Sequence, residues 1–259
     1  MKTCNVLSPY NARVYYEETV SSTMDVSRRL AAEGELHGTV ITAGFQEKGR
    51  GRIHDRLWEM DRNMSLPFTL LLRYPGIQDI PAALTLRTGL AVCDAIEDFL
   101  PLLKDTVKVK WPNDIMICSR KTAGILCEAD GGNVHLGIGI NAAQKDFPDH
   151  LREKAVSLAL AADREIAPDE RFCLLEKVLE RIYRELETAE GKNWRSRFEG
   201  RLYKKGEMVS FTEGAADSGK TVTGRLSGIG QNGEIIIIPA GEKEERSFFT
   251  GELGGPVIA

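Results

Sequence analysis

The spacing of apolar positions along the chain predicts a mixture of strands and helices. Alternating or β-branched apolar runs indicate strands, whereas apolar residues three and four positions apart indicate one face of a helix. Strand patterns occur at residues 13–16, 39–45, 65–72, 107–110, 114–118, 122–129 and 134–140. Helical patterns occur at 22–33, 81–99 and 172–186, with a capping-box pattern at Ser22 and Asp25 and with Pro81 in the first turn of the second helix. The mixture predicts an α+β domain.

The texture of the sequence changes at about residue 203, beyond which the chain is rich in glycine. Short strand patterns lie at 207–212, 221–226, 234–238 and 246–250. Turn signals such as Gln231-Asn232-Gly233 separate them, and short strands between such turns are typical of a small all-β barrel. We therefore expect an α+β domain over residues 1–203 and a barrel over residues 204–259.

Composition and charge favour an ordinary globular protein. Of the residues, 42% are hydrophobic and 28% are charged, and the formal net charge is −4. This balance gives no reason to expect binding of nucleic acid over the whole surface.

The N-terminus lacks the layout of a signal peptide, and no apolar stretch approaches the ~20 residues that a membrane span needs. We therefore expect a cytoplasmic protein that does not bind membranes.

Cysteine and histidine spacing does not indicate a metal site. The five cysteines contain no C-x-x-C pair, and the four histidines show no metal-ligand spacing. We therefore expect no metal held by protein ligands. Cys93 and Cys173 fall on predicted apolar helix faces, where a buried and inert thiol is the expected state.

The first segment with candidate chemistry is a polar, aperiodic loop over residues 46–62, called the basic loop below. It contains Gln46 and the run Gly49-Arg50-Gly51-Arg52, and it continues to Arg56 and Trp58. Glycines let the backbone approach a ligand closely, and arginine forks match carboxylate and phosphate oxygens. The run is not a phosphate-binding P-loop, because no Gly-Lys-Ser/Thr follows. Taken alone, it could equally be a solvated basic loop.

The second candidate is the run Lys110-Trp111-Pro112-Asn113-Asp114, where one predicted strand ends and the next begins. Its amide and carboxylate could read a polar ligand or orient a neighbouring lysine, or could only satisfy turn backbone groups. Lys121 follows across a turn at residues 119–121, and hairpin geometry can bring it near Asp114.

The third candidate is the run at residues 134–141. Alternation puts its apolar side chains on one face, so that Gly137 and Gly139 leave the other face bare, with Asn141 at the rim. A ligand could lie directly on this backbone. Close packing of a helix on the strand is an equally good explanation.

Taken in order, these motifs resemble the catalytic domain of biotin–protein ligases. The matching residues are Ser22-Thr23, Gln46, Gly49-Arg50-Gly51-Arg52, Arg56-x-Trp58, Lys110-Trp111-Pro112-Asn113-Asp114, Lys121-x-x-Gly124-Ile125-Leu126 and Gly137-x-Gly139-x-Asn141. The resemblance covers about residues 13 to 200 and implies a mixed-sheet catalytic domain followed by an SH3-like barrel. Five residues separate Arg52 from Trp58, one more than is usual in that family, and Met24 stands where a polar residue is common.

The resemblance implies an enzyme, a biotin–[acetyl-CoA-carboxylase] ligase, that uses biotin and ATP as substrates. It would form biotinyl-AMP and pass biotin to a lysine of a biotin carboxyl carrier domain. Mg²⁺ would arrive with the ATP. The implied catalytic residues are Lys121, Arg50 and Asp114. The implied biotin-binding residues are Ser22, Thr23, Met24, Gln46, Arg50, Gly51, Arg52, Lys121, Gly137 and Gly139. The implied ATP- or adenylate-binding residues are Arg50, Arg52, Arg56, Trp58, Lys110, Asn113, Asp114, Lys121 and Asn141.

Two other functions stay open at this point. A lipoate or octanoate ligase of the same superfamily is the nearest alternative, although those relatives lack the Lys-Trp-Pro-Asn-Asp run. A non-catalytic protein that binds biotin or a carrier domain is the other, and the intact Lys121, Arg50 and Asp114 argue against it.

Too little chain precedes Ser22 for a winged-helix domain, so we expect no operator binding. A homodimer through a strand edge is possible in the family, but nothing in the sequence selects it.

Overall fold

A mixed eight-stranded sheet forms the larger part of the computed structural model, which describes residues 1–52, 58–214 and 219–256. Its strands in chain order are β1 (Lys2–Thr3), β2 (Val14–Glu17), β3 (Thr39–Ala43), β4 (Ser65–Arg73), β5 (Lys108–Lys110), β6 (Asp114–Ile117), β7 (Arg120–Asp130) and β8 (Asn133–Asn141). Their order across the sheet is β1-β2-β3-β4-β8-β7-β6-β5. β2 and β3 pair in parallel, and neighbours elsewhere in the sheet are antiparallel.

Helices cover this sheet and bury its central strands. They are α1 (Thr23–Ala32), α2 (Leu84–Phe99), α3 (Asp149–Arg152), α4 (Leu158–Ala161), α5 (Glu170–Glu187) and α6 (Trp194–Arg201). α1 packs on β3, β4 and β8, whereas α2 packs on β5 to β7 and against α5. β4 is therefore buried along almost its whole length, as its near-continuous apolar sequence requires. None of the described helices has the length and apolar composition needed to cross a membrane.

Two local predictions were wrong. α2 begins at Leu84, after Ala83 in the left-handed conformation (φ 55°), so Pro81 lies outside the helix. Cys93 is buried, as predicted, but Cys173 is exposed. The buried face of α5 contains Leu175, and Cys173 lies two positions earlier, which is about 200° around a helix of 3.6 residues per turn.

The glycine-rich C-terminal region forms a second sheet, antiparallel and five-stranded. Its strands are β9 (Met208–Glu213), β10 (Lys220–Ile229), β11 (Ile235–Pro239), β12 (Arg246–Phe248) and β13 (Gly251–Pro256), in the order β12-β11-β10-β9-β13. Within the described ranges no pairing joins the two edge strands β12 and β13, so the pairings form an open sheet rather than a closed barrel. The sequence patterns missed β13, because its glycines carry no apolar alternation.

The two sheets contact each other through the end of β5. Trp111 is buried, its indole Nε1 donates a hydrogen bond to the Gly233 carbonyl (2.9 Å), and its ring centroid lies 5.7 Å from that of Phe211. Between the sheets, Tyr203 N donates to Val109 O, and Gly206 N donates to Leu226 O. The backbone of Tyr203 is thus bonded to the first sheet, and that of Gly206 to the second.

Candidate functional site

The β6–β7 hairpin sets the position of Lys121. Cys118 and Ser119 at its tip both have positive φ (49° and 61°), as a tight hairpin turn requires. As the hairpin pattern predicted, Lys121 lies beside Asp114, with 2.5 Å between Nζ and Oδ1. The backbone of Lys121 is also fixed on its other side, where its N–H donates to Lys154 O (2.7 Å) and its carbonyl accepts from Val156 N (3.0 Å). The backbone of Lys121 is therefore fixed by these hydrogen bonds, and its ammonium group by the contact with Asp114.

The side-chain amide of Asn113, in the turn from β5 to β6, binds the backbone of β7. Asn113 Nδ2 donates to the Ile125 carbonyl (2.8 Å), and Ile125 N donates to the Asn113 carbonyl (3.0 Å). These bonds fasten the turn to β7. Lys110, at the end of β5, has a lowered pKa because burial disfavours its charge, although the carboxylates of Asp114 and Glu252 act in the opposite direction. Lys110 is thus a partly desolvated cation next to Asp114.

The bare face of β8 is present, but two side chains cover it. A Cβ added at Gly137 would lie 2.9 Å from the Met24 sulfur, and one added at Gly139 would lie 2.8 Å from Cε2 of Trp58. At either distance a side chain on β8 would require Met24 or Trp58 to move. The glycines therefore make space for Met24 and Trp58 in this conformation. This occupancy was not predicted from the sequence.

The N-terminus of α1 is joined to Gln46. Ser22 caps the helix by accepting from Met24 N (3.3 Å), and both the backbone N–H and the hydroxyl of Thr23 donate to Gln46 Oε1 (2.8 and 3.0 Å). Asp25 does not complete a capping box among the described contacts; it contacts Ser21 Oγ and two arginines instead. The first turn of α1 thus anchors the start of the basic loop.

The described part of the basic loop contacts α1 and β13 and also forms a hydrogen bond within itself. Arg50 forms an ion pair with Asp25 of α1, and Arg52 Nη1 donates to the Gly251 carbonyl of β13 (2.9 Å). Trp58 N donates to the Gly49 carbonyl (2.9 Å), while its indole nitrogen is buried and has no hydrogen-bond partner among the described residues. Arg56 lies outside the described residues.

Two cavities meet at Lys121. The small one, of about 60 Å³, is lined by the residues Ser22, Thr23, Met24, Gln46, Arg50, Gly51, Arg52, Trp58, Asn113, Lys121, Gly124, Ile125, Leu126, Gly137, Ile138 and Gly139. The large one, of about 720 Å³, includes Lys110, Asp114 and Asn141 in its lining. Residues that line both are Gly51, Arg52, Trp58, Asn113 and Lys121. Lys121 Nζ lies 5.7 Å from the centroid of the Trp58 ring, so the ammonium group faces the basic loop.

The structure thus brings together the described residues that the sequence singled out. All ten residues expected at biotin line the small cavity, and the described residues expected at the nucleotide, which exclude Arg56, line one cavity or both. The large cavity also contains Glu59, His150, Lys154 and Glu252, which sequence reasoning did not place there. His150 and Lys154 reach it because the segment after β8 runs back along Lys121, and no local pattern reports such a contact. Among the described residues, no group of three or more His, Cys, Asp or Glu side chains could hold a metal ion.

Comparison with known proteins agrees with this arrangement. Residues 16–144 match the model of the biotin/lipoate A/B protein ligase family. A biotin–[acetyl-CoA-carboxylase] ligase of Paracoccus denitrificans is 30% identical over 213 residues, which are 78% of this chain and 85% of that protein. The chain belongs to the biotin/lipoate A/B protein ligase family.

Other relatives differ in length. The bifunctional ligase/repressor BirA of Bacillus subtilis is 38% identical over 162 residues, which are 58% of this chain and 47% of that protein. The matched region thus spans about half the length of that relative. Among solved structures, a biotin protein ligase from Aquifex aeolicus in complex with biotin and ATP has a TM-score of 0.75 and 25% identity, covering 93% of this chain and 97% of that one. The structural similarity thus extends over both sheets.

Proposed function

We propose that the protein is an ATP-dependent biotin–[acetyl-CoA-carboxylase] ligase, which forms biotinyl-5'-AMP and then attaches biotin to a lysine of a carrier domain. The observation that carries this proposal is the position of Lys121 at the junction of two cavities, beside Asp114 and facing Trp58. A reaction that joins two anionic substrates needs a cation where they meet. The names of the relatives from Paracoccus denitrificans and Aquifex aeolicus support biotin and ATP as those substrates.

The small cavity is assigned to biotin. Ser22, Thr23 and Gln46 offer polar groups to the ureido ring, and Gly137 and Gly139 form the floor. Its volume of about 60 Å³ is far below the roughly 300 Å³ or more of typical ligand pockets. Because Met24 and Trp58 lie on the floor, these side chains have to shift when biotin binds.

The large cavity is assigned to ATP. At about 720 Å³ it has room for a nucleotide, and it is lined by Lys110, Arg52 and Asn141 as well as by Trp58. Arg56 is proposed as a further phosphate-binding residue from the sequence motif alone. Mg²⁺ would arrive as part of the ATP substrate and would neutralise phosphate charge there.

Two chemical steps are proposed for this site. A carboxylate oxygen of biotin attacks the α-phosphorus of ATP, the bond from that phosphorus to the bridging oxygen breaks, and pyrophosphate leaves. Lys121 and Arg50 stabilise the negative charge that accumulates between the substrates, and Asp114 orients Lys121. The neutral amine of an acceptor lysine then attacks the biotinyl carbonyl carbon. The bond from that carbon to the phosphate oxygen breaks, AMP leaves, and the amine loses a proton to solvent as the amide forms. The basic loop excludes water from the mixed anhydride between the two steps.

The test combines three questions in one assay. Purified protein is incubated with ATP, a carrier domain and either labelled biotin or labelled lipoate. We expect label on the carrier lysine with biotin and none with lipoate. Label with lipoate alone would make the protein a lipoate ligase, and biotin binding with no biotinyl-AMP and no labelled carrier would make it a non-catalytic binder.

We also propose a cytoplasmic location, since ATP is supplied there. The proposed division into two domains lies between residues 203 and 204.

A further inference from the structure

Helix α1 carries an acidic side chain that contacts the basic loop but lines neither cavity. This residue, Asp25, forms an ion pair with Arg50, whose side chain lines the small cavity. Ser21 Oγ donates to the other carboxylate oxygen of Asp25 (3.3 Å). Asp25 is therefore a contact between the loop and the rigid body of the fold, made outside the space that a ligand would fill.

The ion pair continues into a row of alternating charges. Arg28, one turn further along α1, lies 3.5 Å from the same oxygen of Asp25 through its Nη1. Its other terminal nitrogen pairs with Glu128 of β7, the strand that also carries Lys121. The row Arg50–Asp25–Arg28–Glu128 thus connects the basic loop, through α1, to the strand of the proposed catalytic lysine.

We propose that Asp25 is a positioning residue, which holds Arg50 at the mouth of the small cavity before biotin binds. This inference rests on the proposed function of the site. An arginine that is already placed loses less side-chain freedom on binding a carboxylate, so the anchored loop binds biotin more tightly. Asp25 touches no reacting atom in this arrangement, and its effect passes through Arg50.

The expected effect is modest, because both partners are partly exposed, with 39% and 47% of their side-chain surfaces accessible. An exposed ion pair contributes little free energy by itself, and dissolved salt screens the attraction between its charges. Asp25→Asn should therefore raise the KM for biotin by roughly two- to fivefold at low ionic strength and leave kcat within about twofold. Asp25→Glu keeps the charge on a longer side chain and should restore most of the lost affinity.

Asp98→Asn is the matched control. Asp98 of α2 is a similarly exposed aspartate, and it pairs with Arg181 of α5. It lines neither the small nor the large cavity. We would measure the KM for biotin of wild type, Asp25→Asn, Asp25→Glu and Asp98→Asn at about 0.05 and about 0.5 M NaCl. The Debye length shortens severalfold between these two concentrations. The expected result is a raised KM in Asp25→Asn alone, with the difference from wild type shrinking at high salt.

Three results would overturn the proposal: an unchanged KM in Asp25→Asn, an equal rise in Asp98→Asn, or a difference that is the same at both salt concentrations. Failure of the proposed function is separate, because it appears as a wild-type protein that forms no biotinyl-AMP at any salt concentration. Thermal unfolding of each variant identifies a general loss of structure, which would lower Tm and activity together in Asp25→Asn and Asp25→Glu.

Discussion

Lys121 and Asp114 face each other across the β6–β7 hairpin, with 2.5 Å between the ammonium nitrogen and one carboxylate oxygen. Both side chains are partly exposed, so their attraction adds little to the stability of the fold. The pair instead fixes the direction of the ammonium group at the junction of the two cavities. A contact that is weak in stability but specific in direction is suited to a reactive site.

Asp114→Asn tests this orienting role. The variant retains the shape of the side chain but loses its charge, so Lys121 should sample more positions. We expect single-turnover formation of biotinyl-AMP to slow by roughly tenfold, since misplacing one electrostatic group typically has such an effect. Tm should change little. A normal rate in the variant would show that Lys121 needs no carboxylate partner.

Gly139→Ala tests the glycine floor. The added methyl group would lie 2.8 Å from Trp58, so it must displace the ring and narrow the cavity. We expect the KM for biotin to rise by about tenfold, or roughly 1.4 kcal/mol. Gly200→Ala is the control, because a Cβ there meets no atom of the described part of the chain within 4 Å. Equal biotin affinities for the two variants would contradict the assignment of the small cavity.

Trp111→Phe tests the contact between the two sheets. The substitution keeps an aromatic ring near Phe211 but removes the hydrogen bond to the Gly233 carbonyl. We expect a loss of about 1 kcal/mol in the free energy of unfolding, together with a higher KM for ATP, because Lys110 and Asp114 flank this contact. A variant with lower stability and an unchanged KM for ATP would limit Trp111 to a structural role.

His135 predicts a dependence of stability on pH. Burial lowers its pKa, the charge of Arg28 lowers it further, and Ser27 Oγ lies 2.8 Å from its Nδ1. Since the folded protein then binds the proton less readily than the unfolded chain, His135 favours folding above the unfolded pKa of about 6.5. That contribution is lost as pH falls from there through the folded pKa.

Urea unfolding of wild type and His135→Gln at about pH 7.5 and 5 measures this contribution. Wild type should lose more stability than the variant on acidification. His37, whose pKa is raised mainly by its hydrogen bond to Glu187, is present in both proteins and cancels in the comparison. Parallel losses in the two proteins would remove His135 from the explanation.

The sequence predicted those parts of the site that depend on local periodicity. Alternation along residues 134–140 correctly indicated the bare face at Gly137 and Gly139. The hairpin predicted with its turn at residues 119–121 correctly placed Lys121 near Asp114, although the tip of the hairpin is at Cys118 and Ser119. It could not predict that Trp58 would lie on Gly139, because that contact depends on the path of the whole basic loop.

Long-range contacts explain the remaining misses. The bond from Arg52 to the Gly251 carbonyl joins residues 199 positions apart, and it exists only because β13 pairs with β9. Gly251 itself needs to be glycine, since a Cβ there would lie 2.4 Å from the Phe211 ring. No apolar pattern signals such a strand, so the contribution of the second sheet to the large cavity appeared only in the structure.

Single-turnover formation of biotinyl-AMP by Lys121→Met tests the central claim most directly. Methionine keeps much of the length of the side chain and removes its charge, and fold integrity is checked by its Tm. With saturating biotin and ATP, we expect the variant to be slower than wild type by about 10²-fold or more. A wild-type rate in a folded variant would contradict the assignment of Lys121 to the reaction between the two substrates.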